Sequence, residues 1–234
     1  DKTYMDHILT LGTCDPIEGV VVVACKTERE LLLRWTQLLR EQDVDIISGY
    51  NIYSFDFPYI HDRAEELECL PEYNVLGKFR NKHSVVREKI LSSSALGDNS
   101  WREIDTIGRI QIDLFKVVQR DFNLASYKLD SVSSHFMKGN VLKIVESNVE
   151  YTCFETDNTK GIEPESYLVF TYYDGHSEEK HQKGHKYQVM RLTHNRVFVK
   201  GKLELGNNKY SWSMAKDDVT PQDIFRMTNE GPDQ

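Results

Sequence analysis

DVDIISGYNIYSFDFPYIHDRAEEL, residues 43–67, is the stretch from which the rest of the chain can be read. Ile46 and Ile47 form a short apolar run between polar neighbours, the pattern of a sheet strand over 45–48. Gly49, Tyr50 and Asn51 make a tight turn, and a helix opens near Ser54. Beyond the turn, Phe57, Ile60, Ala64 and Leu67 recur at helical spacing, so one face of that helix packs inward. Asp56 then falls in the first helical turn, just past the carboxyl end of a strand, and open α/β sheets place their chemistry at that edge. A first-turn acid ordinarily complements the helix dipole and the free amides there. Here Tyr50, Asn51, Tyr53 and Phe55 crowd around it. Aromatic faces beside a metal-binding acid suit a single-stranded nucleic-acid end.

With 234 residues, the chain has room for one ordinary domain and an elaboration. It is 39% hydrophobic and buries a sizeable core, yet no stretch approaches the roughly 20 apolar residues that a membrane span needs. There is no signal-like N-terminus, and both ends read as cut from something longer. Cys14, Cys25, Cys69 and Cys153 are widely spaced with no C-x-x-C pair, which leaves zinc and redox motifs unsupported and points to a reduced, intracellular compartment. The net charge of −8 argues against a protein that coats duplex DNA, while leaving room for an acidic site on one strand end.

Taken in order, residues 7–14 and the apolar run Val20 to Cys25 read as two strands. Asp15-Pro16-Ile17-Glu18-Gly19 is the turn between them, and the pair resembles a hairpin. Thr27 with Glu30 forms a capping box before a helix that carries Leu31, Leu32, Trp35, Leu38 and Leu39 on one side. Hairpin, helix, strand, helix is an α/β order with a mixed sheet. Ser92 to Ser94 and Gly97 to Ser100 read as an exposed loop, and residues 103–111 return as a strand with Gly108 at a bend. A helix follows with Asp113 near its start and Leu114, Val117 and Val118 facing in. Another helix spans 129–137, with Leu129, Val132, Ser133 and Phe136 on one face. After about residue 150 the character changes. Short strands are expected over 167–173, 187–192, 196–199 and 202–205, separated by turn residues, which predicts a small antiparallel barrel or sandwich. Thr220-Pro221-Gln222-Asp223 is a helix start.

Tyr50-Asn51-Ile52-Tyr53-Ser54-Phe55-Asp56-Phe57-Pro58-Tyr59 resembles the second exonuclease motif of B-family DNA polymerases, Y-N-x-x-x-F-D-x-P-Y. Gly108-Arg109 through Asp113, and Ser126-Tyr127 through Val132, are similar to that family's G-R-x-x-x-D and S-Y-x-L-x-x-V segments, in order and at a fitting distance. The last third resembles an insertion in polymerases of large DNA viruses, those of algal and giant viruses. The resemblance implies a ribonuclease-H-like 3′–5′ exonuclease domain with a mixed sheet over 1–150. It also implies a small antiparallel β-barrel insertion over 151–219 and a returning helix from 220. It implies proofreading by two-metal phosphodiester hydrolysis with Mg²⁺ or Mn²⁺, Asp56 acting as catalytic residue and metal ligand. It implies too that Tyr50, Asn51 and Phe55 contact the frayed 3′ end of the primer. The partners implied are the single-stranded primer end, template–primer DNA through the parent polymerase, and a sliding clamp, with no membrane. The implied location is a cytoplasmic virus factory or the nucleus.

The chain departs from the family pattern at three points. No D-x-E occurs, and in Asp15-Pro16-Ile17-Glu18 the acids are one residue too far apart to share a strand face. No Y-x-x-x-D occurs, since Tyr127 to Asp130 and Tyr59 to Asp62 are each one residue short. The paired aspartates of a polymerase active site are missing too. The chain therefore reads as the middle of a polymerase, between the first and third exonuclease motifs, whose metal site is completed by residues outside it. The other reading is a non-catalytic exonuclease fold that holds DNA or partner subunits. Asp113 reads as a helix cap, and His176, His181 and His185 as a solvated hairpin tip rather than a metal site. Trp35 and Trp212 read as core.

Overall fold

Strands β1 (Asp6–Leu11) and β2 (Val20–Cys25) pair in parallel, with Asp6 opposite Val20 and Leu11 opposite Cys25. The expected hairpin is thereby corrected. Residues 12–19 carry the chain back past β1, and a stretch of that length reaches about 26 Å when extended, against roughly 20 Å for the strand. Gly12 and Gly19, at φ 84° and 78°, turn the chain at the two ends of this return. The structure is a computed structural model that describes residues 5–79, 81–93, 97–215, 222 and 226. It divides into two compact units, the first running to Asn123 and the second from Leu124 to Thr220.

In the first unit, helix α1 (Glu28–Glu41) starts at the predicted cap: Thr27 Oγ1 accepts from the Glu30 amide at 3.1 Å. The return bond of the capping box slips one residue, the Glu30 carboxylate accepting from the Lys26 amide at 2.8 Å. Strand β3 (Ile46–Gly49), helix α2 (Asp56–Glu66) and the short helix α3 (Leu70–Tyr73) follow. Phe57 and Ala64 are buried on α2 as their spacing predicts, and they share a core with Leu32, Leu39, Cys69 and Tyr73, against which Ile60 and Leu67 pack. A bidentate ion pair from Arg63 to Glu28, at 2.7 and 2.5 Å, ties α2 to α1.

Strands β4 (Val86–Ser93) and β5 (Gly97–Ile104) form an antiparallel hairpin in which Val86 faces Ile104 and Ser93 faces Gly97. This replaces the exposed loop expected around residues 92–100. Backbone ladder bonds need no apolar side chains, so the serine-rich sequence gives no strand signal. Strand β6 (Ile110–Asp113) pairs in parallel with β3, placing Gly49 opposite Asp113, and helix α4 (Leu114–Asp121) begins directly after it. Val118 is buried on α4, but Leu114 is exposed, because Asp113 occupies the cap and turns position 114 outward. The unit's strands thus form separate two-stranded pairs among the described residues, two parallel and one antiparallel.

The second unit opens with helix α5 (Leu129–Phe136), of which Val132 is buried while Leu129 and Phe136 are exposed. Seven strands follow: β7 (Lys138–Ser147), β8 (Tyr151–Thr156), β9 (Tyr167–Tyr173), β10 (Glu178–Lys180), β11 (Tyr187–Leu192), β12 (Arg196–Lys200) and β13 (Tyr210–Ala215). Six of them close in the order β7-β8-β12-β11-β9-β13, every neighbour antiparallel, with β10 added outside β9. The β-rich unit therefore takes in residues before 151, because β7 pairs with both β8 and β13. Residues 202–205 make no strand, although Leu203 is buried. Phe154, Leu168, Phe170, Tyr187, Val189, Val197, Val199 and Trp212 fill the barrel, and the Trp212 indole donates to Thr156 Oγ1 at 2.7 Å. Such a small barrel holds side chains rather than a ligand. The helix start at Thr220 lies outside the described residues except for Gln222, which is helical.

The histidine cluster divides. His181 is buried against Tyr210 and Tyr187, and its Nε2 has no hydrogen-bond partner among the described residues, while His176 and His185 are not buried. Burial, and then the neighbouring His185, hold the His181 imidazole below its ordinary value of 6.5. The unfolded chain takes up a proton near that value while the folded chain resists it, so stability falls as pH drops through 6.5 toward the lower folded value. The melting temperature of the chain is expected to fall between about pH 7 and about pH 5, and His181→Gln is expected to flatten that fall.

Candidate active site

The turn between β3 and α2 is built almost wholly from backbone hydrogen bonds. Asn51 sits in the left-handed region at φ 64°, where asparagine is tolerated better than most side chains. Its carbonyl accepts from the amides of Ser54 at 3.3 Å and Phe55 at 3.1 Å, and the Ile52 carbonyl accepts from Phe57 at 2.9 Å. A side chain at Gly49 would meet Ile52 Cγ2 at 2.5 Å, so the strand can turn this tightly only on glycine. Phe55 takes the N-cap position of α2 without a side-chain cap bond.

Asp56 lies in the first turn of α2, as read from the sequence, although the helix begins at Asp56 itself rather than near Ser54, beyond the carboxyl end of β3. Its side chain is half-buried and makes no hydrogen bond or ion pair with any described residue. Phe55 beside it is 66% exposed, and one helical turn on Tyr59 is 57% exposed. Their rings lie nearly parallel, 6° apart with centroids at 6.3 Å, an open aromatic surface flanking the carboxylate. Tyr59 was not singled out by sequence, although its i, i+4 spacing from Phe55 was the available signal.

Tyr50 and Tyr53 pack against other rings. Tyr50 meets Phe115 edge to face at 5.6 Å, and Tyr53 packs on Phe57 at 6.2 Å with its hydroxyl donating to the Gln111 carbonyl at 3.3 Å. Burial, and then the Asp113 charge, push the Tyr50 phenol up; for Tyr53 the order is burial, Glu103 and Asp113. Both phenols stay protonated. A cleft of about 460 Å³ opens beside Ser54 and Pro58 and is lined also by Asp62, Glu88, Trp101 and Arg102. Lys116 Nζ lies 4.6 Å from the Trp101 ring centroid. The structure therefore places Asn51, Phe55 and Asp56 on one turn, with Tyr50 at its start packed on Phe115.

Among the described residues, no three histidine, cysteine, aspartate or glutamate side chains come together as a metal site would require. Asp113, at the end of the strand paired with β3, is spent on backbone amides and caps α4.

The sequence profile of "DNA polymerase family B, exonuclease domain" matches residues 1–132. The chain belongs to the family B DNA polymerases. A DNA polymerase of Pyramimonas orientalis virus is 40% identical over 96% of this family B chain, which spans 17% of that relative. A DNA polymerase of Phaeocystis pouchetii virus is 28% identical over 98% of the chain, covering 24% of that protein. The DNA polymerase delta catalytic subunit of Glycine max is 44% identical, but over only 58% of the chain and 12% of the plant protein. The viral likeness thus runs through both units, whereas the plant likeness stops at little more than half of the chain.

The left-handed turn gives a direct test of the geometry. Asn51→Val is expected to lower unfolding stability by about 1–3 kcal/mol, because a β-branched side chain is strained at this φ. Asn51→Gly is expected to stay close to the parent. Urea midpoints of the three chains distinguish the outcomes.

Proposed function

We propose that this chain is part of a replicative DNA polymerase and forms one wall of its 3′–5′ proofreading site, on a ribonuclease-H-like exonuclease domain that carries the barrel as an insertion. The observation that carries the reading is the half-buried, unpartnered Asp56 carboxylate beside the open Phe55–Tyr59 rings. A lone carboxylate at the carboxyl edge of a strand, next to faces that stack bases, suits a frayed primer end. In this reading Phe55 and Asn51 hold the single-stranded 3′ end, Tyr50 supports the turn from behind, and Asp56 contributes one metal ligand. The parent polymerase brings template–primer DNA and a sliding clamp, and works in a virus factory or the nucleus.

Family B exonuclease domains depend on divalent metal, Mg²⁺ or Mn²⁺ here. A two-metal site needs several converging carboxylates, and the described residues of this chain do not supply them around Asp56. The donor set present does not by itself fit the metals, and the remaining ligands are assigned to segments of the parent outside residues 1–234.

Asp56→Ala in the full-length polymerase is expected to slow removal of a mispaired 3′ nucleotide by about 100-fold or more while primer extension continues at the parental rate. The isolated chain is expected to leave a labelled single-stranded oligonucleotide untrimmed in Mg²⁺ or Mn²⁺. The lone carboxylate also favours a second reading, a non-catalytic exonuclease fold that holds DNA or partner subunits. Unchanged excision by the Asp56→Ala polymerase would establish that one instead.

A further inference from the structure

We infer that Asp113 is the positioning residue of the proposed exonuclease site, fixing through backbone amides the turn that presents Asn51 and Asp56; the inference rests on the function proposed above. Asp113 is 2% exposed and lies at the end of β6, in register with Gly49 at the end of β3. Its Oδ1 accepts from the amides of Asn51 at 2.8 Å and Phe115 at 2.9 Å, and its Oδ2 accepts from the Tyr53 amide at 3.2 Å. The Phe115 bond is an ordinary helix cap, which asks for one oxygen. The other two reach back 62 and 60 residues along the chain, and a cap does not require them.

Those two bonds matter because α2 has no side-chain cap of its own. The entry of the chain into α2 is set by the turn's own carbonyls and by Asp113. A backbone at positive φ, such as Asn51, keeps that conformation only where its surroundings over-determine it. Arg109 does the matching work at the other end of β3. Its guanidinium is buried and donates to the Leu76 carbonyl at 2.9 Å and to the Val44 carbonyl just before the strand. Arg109 and Asp113, which bracket β6, thus hold β3 by one carbonyl before it and two amides after it, so the position of Asp56 at the sheet edge depends on β6 and the residue before it.

The test uses the full-length polymerase with Asp113→Ser, Asp113→Asn and Asp56→Ala. Serine still caps α4 but is too short to span both turn amides. Asparagine keeps the Oδ1 bonds and sets an NH₂ against the Tyr53 amide. Excision of a mispaired 3′ end is expected to slow by about 10- to 100-fold in the serine variant and by less in the asparagine variant. The Mg²⁺ concentration for half-maximal excision is expected to rise in the same order, with primer extension unchanged. A residue that only caps α4 would leave the metal midpoint in place. If Asp56→Ala impairs excision while Asp113→Ser matches the parent in rate and metal midpoint, the positioning role is overturned. If Asp56→Ala leaves excision intact, the underlying site assignment fails instead. Should the serine variant not fold, the asparagine variant decides, since parental rate and midpoint there overturn the role equally.

Discussion

A carboxylate taken out of water must be answered by donors, and at Asp113 every donor is a backbone amide. That requirement runs in both directions. The acid is tolerable in the interior only while the turn after β3 points its amides inward, and the turn holds its left-handed residue only while the acid receives them. Strand β6, its following helix and the start of α2 therefore stand or fall as one arrangement. Arg109 repeats the logic with opposite sign, a buried cation satisfied by carbonyls. The backbone of this turn is thus fixed from both sides, although its side chains at Phe55 and Tyr59 are among the exposed ones.

The two units solve the burial problem differently. The barrel closes on itself and packs aromatic and β-branched side chains inward, so few strand edges are left. The first unit keeps its core beneath α1, α2 and α3 and leaves apolar strand residues at the surface, Ile46 at 51% and Ile110 at 61% exposure. Parallel strands are ordinarily covered on both faces. In this unit their covering among the described residues is partial.

Much of this was legible from the sequence where the signal is local. The strand, turn and helix around Asp56 follow from a short apolar run, a glycine and 3.6-residue periodicity, and the cap at Thr27 from its spacing to Glu30. The strands β9 and β12 follow from short apolar runs between turn residues. Strand β13 carried an alternation signal, Tyr210 and Trp212 buried between serines, but Trp212 was read only as core and no strand was expected there. Direction was not legible: whether β1 and β2 run parallel depends on the path of residues 12–19, which composition leaves open. The hairpin of β4 and β5 was hidden because the stretch around its turn, residues 92–100, is mostly polar. The reach of Asp113 was hidden for a different reason, since its partners lie some sixty positions away and offer only amides, which every residue has.

Strands β7 and β13 are neighbours in the closed ring, with Lys138 opposite Ser213. The chain thus enters the barrel and leaves it at adjacent points, separated by about one strand spacing, roughly 4.8 Å. A folded body whose two ends meet so closely needs only a short gap in whatever chain carries it. Closely spaced ends are the geometry that circular permutation and domain insertion tolerate best.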